Sequence, residues 1–291
     1  MEEDLIFAAS HLPARGEEEA PGRITQGVAW HYLSETYLSE GKYQLAVDAA
    51  THVINDYGYA LMTERFGTRL SNDIWGGGDP FYDLFGYGNH NLTENTEGIW
   101  VIQIEPYIPG GAINSGERCY GPAYHRWGKT PDGFNAFRGD FVNGTYTGFS
   151  DSLGRGVAWV RPTDYALYKI WRDNGQWNID IRNAKWNIKR DFYFDAPGSI
   201  YDKQKISSSL YPAGTRNLMI DTCQYIFPWF TKFGDPLNHF TYASQAGNGY
   251  CHKDIYALRL PETLLLRAEA YVRLDNLEAA AADINLIRTR A

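Results

Sequence analysis

Residues 120–127 place three large rings, Tyr120, Tyr124 and Trp127, in one Gly/Pro-rich stretch with His125 and Arg126 between them. Trp75, Tyr82 and Phe85 form a second aromatic cluster, with Asn72 and Asp79 close by in sequence. The faces of pyranose rings carry C–H groups that pack on aromatic side chains, while their hydroxyls need directional polar partners. Exposed rings beside Arg, Asn or Asp therefore make a sugar platform. The expected contacts are Trp127 first, then Tyr124, Tyr120 and Trp75, with Arg126 and Tyr82 completing the set. The chain holds 9 Trp, 21 Tyr and 14 Phe, so most rings must be core and each assignment competes with burial.

Catalytic chemistry has less to stand on. The acid pairs Glu94/Glu97 and Asp191/Asp195 are spaced to flank a glycosidic bond, but pairs of this kind are unavoidable among 35 acidic residues. There is no GxSxG elbow, no HExxH and no phosphate-cradling GxxxxGK. Cys251-His252 is a metal-ligand dipeptide with no second pair near it to complete four ligands. The three cysteines, an odd number in a long chain, define no disulfide framework. The sequence thus points to a binder with no catalytic residue, no metal and no cofactor.

The elements that must carry these residues follow from composition and periodicity. With 27 basic and 35 acidic residues the net charge is −8 and no basic stripe exists, which excludes a nucleic-acid binder. Apolar runs such as Leu264–Leu266 are far short of the roughly 20 residues that span a bilayer. The acidic start, Met1-Glu2-Glu3-Asp4, is no secretory leader, which implies a cytoplasmic protein or a piece of a longer one. Trp30, Leu33, Tyr37 and Leu38 share one helix face, Gly41 makes a turn, and Tyr43–Ile54 begins a second helix. Leu264–Tyr271, the Asp275-Asn276 turn and Ala279–Ile287 repeat the design. Aligning Tyr37 with Tyr271 aligns Ala46 with Ala280 and Val53 with Ile287, the spacing of tetratricopeptide-type hairpins. The expected fold is mainly α, a tetratricopeptide-like helical repeat scaffold with a large, irregular, loop-rich insertion containing short strands. Its segments are 1–57, with the first hairpin; 58–253, the aromatic insertion that would bind ligand; and 254–291, the second hairpin. Within the insertion, strands are expected at Ile99–Glu105 and across the period-two run Trp186–Phe194, and a short helix over Thr163–Trp171.

The run Leu258-Arg259-Leu260-Pro261-Glu262-Thr263-Leu264-Leu265-Leu266-Arg267-Ala268-Glu269-Ala270-Tyr271, continued by Asp283-Ile284-Asn285 and Arg288-Thr289-Arg290-Ala291, resembles the SusD/RagB family. So do Glu97-Gly98-Ile99-Trp100, Asp180-Ile181-Arg182 and Pro228-Trp229-Phe230. The resemblance is to the central and C-terminal part of the family, whose members carry further helices and a lipoprotein signal. It implies an outer-membrane lipoprotein of the Bacteroidetes, lipid-anchored and surface-exposed, that binds oligosaccharide and delivers it to a SusC-like TonB-dependent transporter. Peptide binding by a relative of the same family, and a cytoplasmic tetratricopeptide scaffold for partner proteins, are the alternative readings. Asp180, Arg182 and Lys232 read as structural ion partners, with Asp180 and Arg182 holding the insertion onto the repeats.

Overall fold

The computed structural model describes residues 1–71, 76–105, 108–126, 128–138, 141–142, 145–146, 154–210, 225–234 and 251–291. In chain order its α-helices are α1 (Glu2–His11), α2 (Gln26–Ser39), α3 (Tyr43–Asp56), α4 (Pro80–Leu84), α5 (Gly116–Tyr120), α6 (Ile170–Asp173), α7 (Leu260–Arg273) and α8 (Leu277–Arg290). The strands are short: β1 (Gly98–Ile102), β2 (Phe141–Val142), β3 (Thr145–Tyr146), β4 (Ile188–Lys189), β5 (Trp229–Phe230) and β6 (Ile255–Arg259). They pair antiparallel as β1 with β6, β2 with β3 and β4 with β5. The chain divides into a helical unit, residues 1–68, 88–103 and 254–291, and an insertion unit, residues 69–87 and 104–253.

In the helical unit each helix packs on the next in the row α1, α2, α3, α7, α8. The two hairpins lie far apart in sequence and side by side in space, as stacked repeats require, since each buries its apolar face only against a neighbour. Tight approach comes from small side chains. Ala46 and Ala49 of α3 and Ala270 of α7 are buried together with Leu33 and Tyr37 of α2. Ser34 of α2 donates to the Ala46 carbonyl at 2.8 Å. Val28, Val53, Leu260 and Leu264 form the adjoining cluster, against which Ile287 packs. Gly41 turns α2 into α3 at φ +77° and Asp275 turns α7 into α8 at φ +59°. The Asn276 side chain then caps α8 by accepting from the Ala279 N–H.

Arg267 of α7 ties three helices, reaching Asp283 of α8 at 2.7 Å and Thr51 of α3 at 3.1 Å. His31 of α2, buried, places Nδ1 2.8 Å from the Thr263 hydroxyl of α7. Burial pulls its imidazole down from 6.5 to about 4. The folded state holds the ring neutral while the unfolded chain protonates it. This stabilisation is therefore whole above pH 6.5 and is lost as pH falls toward 4. About 2 kcal/mol should go by about pH 5. Melting temperature is expected to drop between neutral pH and pH 5, and His31→Asn to flatten that slope. An unflattened slope in the variant would assign the acid sensitivity elsewhere.

The insertion unit has a separate core of aromatic and small residues, centred on Phe192, Phe194, Phe227, Trp229, Tyr124 and Ala136. The Trp186–Phe194 run is not one continuous strand. Its alternation holds at the end of the run, with Phe192 and Phe194 buried and Tyr193 exposed, and fails over Asn187, Ile188 and Lys189, which are all buried. Only Ile188–Lys189 forms a regular ladder, however, and beyond it the pairing passes to residues 203–206 through scattered bonds such as Ile206 N–H to Phe192 O. The expected helix over Thr163–Trp171 is displaced and underwound. Residues Tyr165–Lys169 form a π turn that runs into α6, burying Leu167 and Trp171. The strand expected at Ile99–Glu105 is β1, ending at Ile102. α1 went unforeseen, although Glu2, Glu3 and Asp4 in its first turn and His11 in its last complement the helix dipole.

Candidate ligand-binding site

The 115–126 segment is mounted on one buried carboxylate. Glu117, fully buried in α5, accepts from the Arg155 N–H at 2.5 Å and packs against Gly154. The chain following Gly154 then runs past the C-terminal end of α5. The N–H groups of Val157, Ala158 and Val160 donate to the carbonyls of Arg118, Gly121 and Cys119 at 2.8–3.0 Å, so the orphan carbonyls of the helix end find partners. This run presents Trp159, which is 61 % exposed. The Arg118 guanidinium lies 5.3 Å from the Trp159 ring centroid. Arg126 is exposed, and Tyr120, half-buried, stacks on Phe233 at 4.2 Å. His125 is pulled down to about 4 by burial, with Arg155 and Arg126 adding to the effect, so the positive charge here at neutral pH belongs to the arginines.

Two of the rings expected to meet ligand are core instead. Tyr124 is 0 % exposed, packs edge-on against Phe137 and donates its hydroxyl to the Gly154 carbonyl. Tyr82 is 1 % exposed beneath the Arg69 guanidinium, which sits 4.0 Å from its centroid. Both are anchors because the hydroxyl or ring face that would serve a sugar is spent inside the protein. Asp79, read as a polar group of the second cluster, is buried as the cap of α4, accepting from the Tyr82 N–H at 2.7 Å. It also accepts from Trp186 Nε1 and from Asn187 Nδ2, the latter at 2.7 Å. Burial pushes its carboxyl up, against the pull of these bonds. Trp127 and Trp75, with Asn72, lie outside the described residues.

Trp159 is the residue that sequence reasoning missed. In Val157-Ala158-Trp159-Val160, period-two alternation assigns Trp159 to the same face as Val157, which is buried. Ala158 breaks that alternation by adopting φ +59°, a left-handed conformation that alanine rarely takes and no periodicity reveals.

One member of each acid pair is spent in a buried ion-pair group. Glu97 is fully buried and paired with Arg259 and Arg290, while Asp195 is buried between Arg138 and Lys203. Asp180 and Arg182 do form an ion pair, but with each other, Asp180 also accepting the Arg182 N–H at 2.9 Å. Among the described residues no group of three metal-ligating side chains is present. Nor is any helix among them long and apolar enough to cross a membrane.

Residues 164–291 match the model of the SusD family. No curated protein matches the chain. Among solved structures, a SusD homologue from Bacteroides thetaiotaomicron superposes with a TM-score of 0.57 at 19 % identity, over 99 % of this chain and 49 % of its own. Surface glycan-binding protein A from Bacteroides uniformis gives 0.53 at 17 % identity, over 100 % and 48 %. A laminarin-binding SusD-like protein gives 0.53 at 16 %, over 99 % and 52 %. The chain spans about half the length of the solved structures it matches, and at these identities the likeness is one of fold. The described residues are mainly helical like those structures, and the matched segment 164–291 contributes α7 and α8 of the helical row together with β4, β5 and the 177–193 region of the insertion.

Proposed function

We propose that this protein binds an oligosaccharide at the cell surface and passes it, unaltered, to a SusC-like TonB-dependent transporter, its full-length form being lipid-anchored to the outer membrane. The observation that carries the reading is Trp159, a large flat apolar face held exposed on a hydrogen-bonded mount beside Arg118. A ring of this kind packs on the C–H face of a sugar while a guanidinium donates to its hydroxyls. Tyr120 and Arg126 belong to the same proposed surface, as does Trp127 on sequence grounds. The described relatives support the choice of ligand, two of them being glycan-binding or laminarin-binding proteins by name. A binding rather than catalytic role is supported by the carboxylates, since Glu97 and Asp195 are spent in buried ion pairs.

Trp159→Ala is expected to weaken glycan affinity by about 1 kcal/mol, roughly fivefold, while leaving the melting temperature in place. Calorimetric titration with a glycan panel, beside a thermal melt of the same preparation, measures both. Unchanged affinity toward every glycan that binds the parent protein would remove Trp159 from the site.

A further inference from the structure

The helical unit has a pocket of its own. A cavity of about 400 Å³ is lined by the 15–25 segment, by Tyr57 and Tyr59, by the 90–95 loop and by β1. Its charged side chains are spent, and with Glu19 they cancel. Arg15 holds the Gly58 and Asn95 carbonyls at 3.0 and 3.1 Å, Glu18 accepts the Gly16 N–H at 2.5 Å, and Arg23 reaches Glu19 at 4.0 Å. Two half-buried rings complete the wall, and their polar handles are used within the protein. Trp100 Nε1 donates to the Gly22 carbonyl at 3.3 Å, and the Tyr57 hydroxyl donates to the Gln26 side chain at 3.1 Å. What each ring has left is an apolar face.

The unspent groups are two hydroxyls. Thr25 is 4 % exposed and Tyr59 6 %, and both residues line the cavity. Thr25 is the N-cap of α2, where a threonine side chain ordinarily accepts a backbone N–H. Its Oγ1 makes no cap bond and is buried without a well-formed hydrogen bond. The Tyr59 phenol is seated against the first turn of α2, since a Cβ on Gly27 would stand 2.9 Å from its oxygen. Among the described residues the one hydroxyl it can pair with is that of Thr25, and burial pushes the phenol up, so it remains an O–H at neutral pH. Two hydroxyls carry two protons, and even a bond between them leaves one proton without an acceptor. A buried donor left unmade is destabilising unless something outside the chain supplies its partner.

We propose that this pocket of the helical unit is a second sugar site, taking one neutral pyranose whose C–H face packs on the Trp100 and Tyr57 walls while one of its oxygens accepts from the Thr25–Tyr59 pair. The inference rests on the glycan-binding reading and adds a site to it, in a different unit from Trp159. A charged ligand would find no unspent counter-charge here, and a purely apolar one would leave the hydroxyl pair unmatched. A neutral ring with several oxygens and an apolar face meets both conditions.

The test titrates the 291-residue chain with glucose, galactose, mannose and xylose and with their short oligosaccharides, by calorimetry beside a thermal melt. At least one neutral sugar should bind. Tyr59→Phe and Thr25→Val each delete one hydroxyl at nearly constant shape, and each should weaken that binding about fivefold. Both variants should melt no lower than the parent, because each removes a donor that the fold leaves unmade. Trp159→Ala separates the two sites, since binding in the helical unit survives it. Neutral-sugar binding that is lost in Trp159→Ala and untouched in both hydroxyl variants overturns this inference and leaves the glycan reading standing. Lower melting in both hydroxyl variants also overturns it, because the pair then serves the fold. So does a neutral peptide that binds as tightly as the best sugar and is weakened by Tyr59→Phe. If no glycan of any class binds, the glycan reading falls and takes this inference with it.

Discussion

Replacing Glu97 by alanine is expected to cost about 3–5 kcal/mol of stability, the range for breaking a buried ion pair from one side. Glu97 is fully buried and its two carboxylate oxygens are divided among three donors. Oε1 accepts from Arg259 at 2.9 Å, while Oε2 accepts from Arg290 at 2.8 Å and from the Met62 N–H at 3.0 Å. Its own backbone carbonyl receives the N–H of Leu260, the first residue of α7. One side chain therefore gathers the loop after α3, the β1–β6 pair and α8. Removing it leaves Arg290, whose side chain is only 5 % exposed, without this carboxylate. The penalty is the uncompensated charge rather than the sum of the lost bonds. For a chain of this size the melting temperature should fall by on the order of 10 °C. Because the group is buried, added salt should change the difference little. Glu97→Gln, which keeps the shape and some of the acceptor capacity, should lie between the parent and the alanine variant. A Glu97→Ala melt within about 1 kcal/mol of the parent would show that the triad contributes no more than an exposed pair.

The same triad shows what kind of information the sequence held. Glu97, Arg259, Arg267, Asp283 and Arg290 all sit in the stretches that carry the family resemblance. In the structure they form two ion-pair groups, Glu97 with Arg259 and Arg290, and Arg267 with Asp283. The resemblance was therefore legible because it rests on fold staples, whose chemistry tolerates little change. Which staple pairs with which was hidden, since the partners lie far apart in sequence. Helical packing was legible too: Leu33 and Tyr37 fall on the face that α2 buries, and Ala46 and Ala280 are buried at the close approaches their size suggested. The ligand surface was not. Tyr82 and Tyr124 have the same composition and neighbourhood as platform rings, and only tertiary packing decides that Arg69 covers one and Phe137 the other. Trp159 escaped notice for the converse reason, because the backbone at Ala158 turns it outward from a run that reads as buried.

If the mount of Trp159 is what makes a site of it, an alanine at Gly156 should damage stability and binding together. A Cβ built there would stand 2.1 Å from both the carbonyl carbon and the oxygen of Gly121, and 2.6 Å from the oxygen of Pro122. Every one of these atoms is backbone, so no rotamer change relieves the clash. Gly156 has no left-handed φ, so the penalty is steric and not conformational. Overpacking of this kind costs about 1–3 kcal/mol, and more where neighbours cannot yield. The 154–160 run must then leave the end of α5, surrendering the bonds that Val157, Ala158 and Val160 make to it. Trp159 loses its fixed orientation, and its ordering entropy falls due on binding. Gly121→Ala approaches the same contact from the other side, with its Cβ 2.7 Å from the Glu117 carbonyl and 3.1 Å from Gly156 Cα, and should show a milder form of the same double loss. Trp159→Ala, by contrast, should lower affinity alone. The decisive comparison is Gly156→Ala against Trp159→Ala in one titration and one melt. If Gly156→Ala melts lower yet binds glycan as the parent does, the ligand does not use the surface that this segment builds.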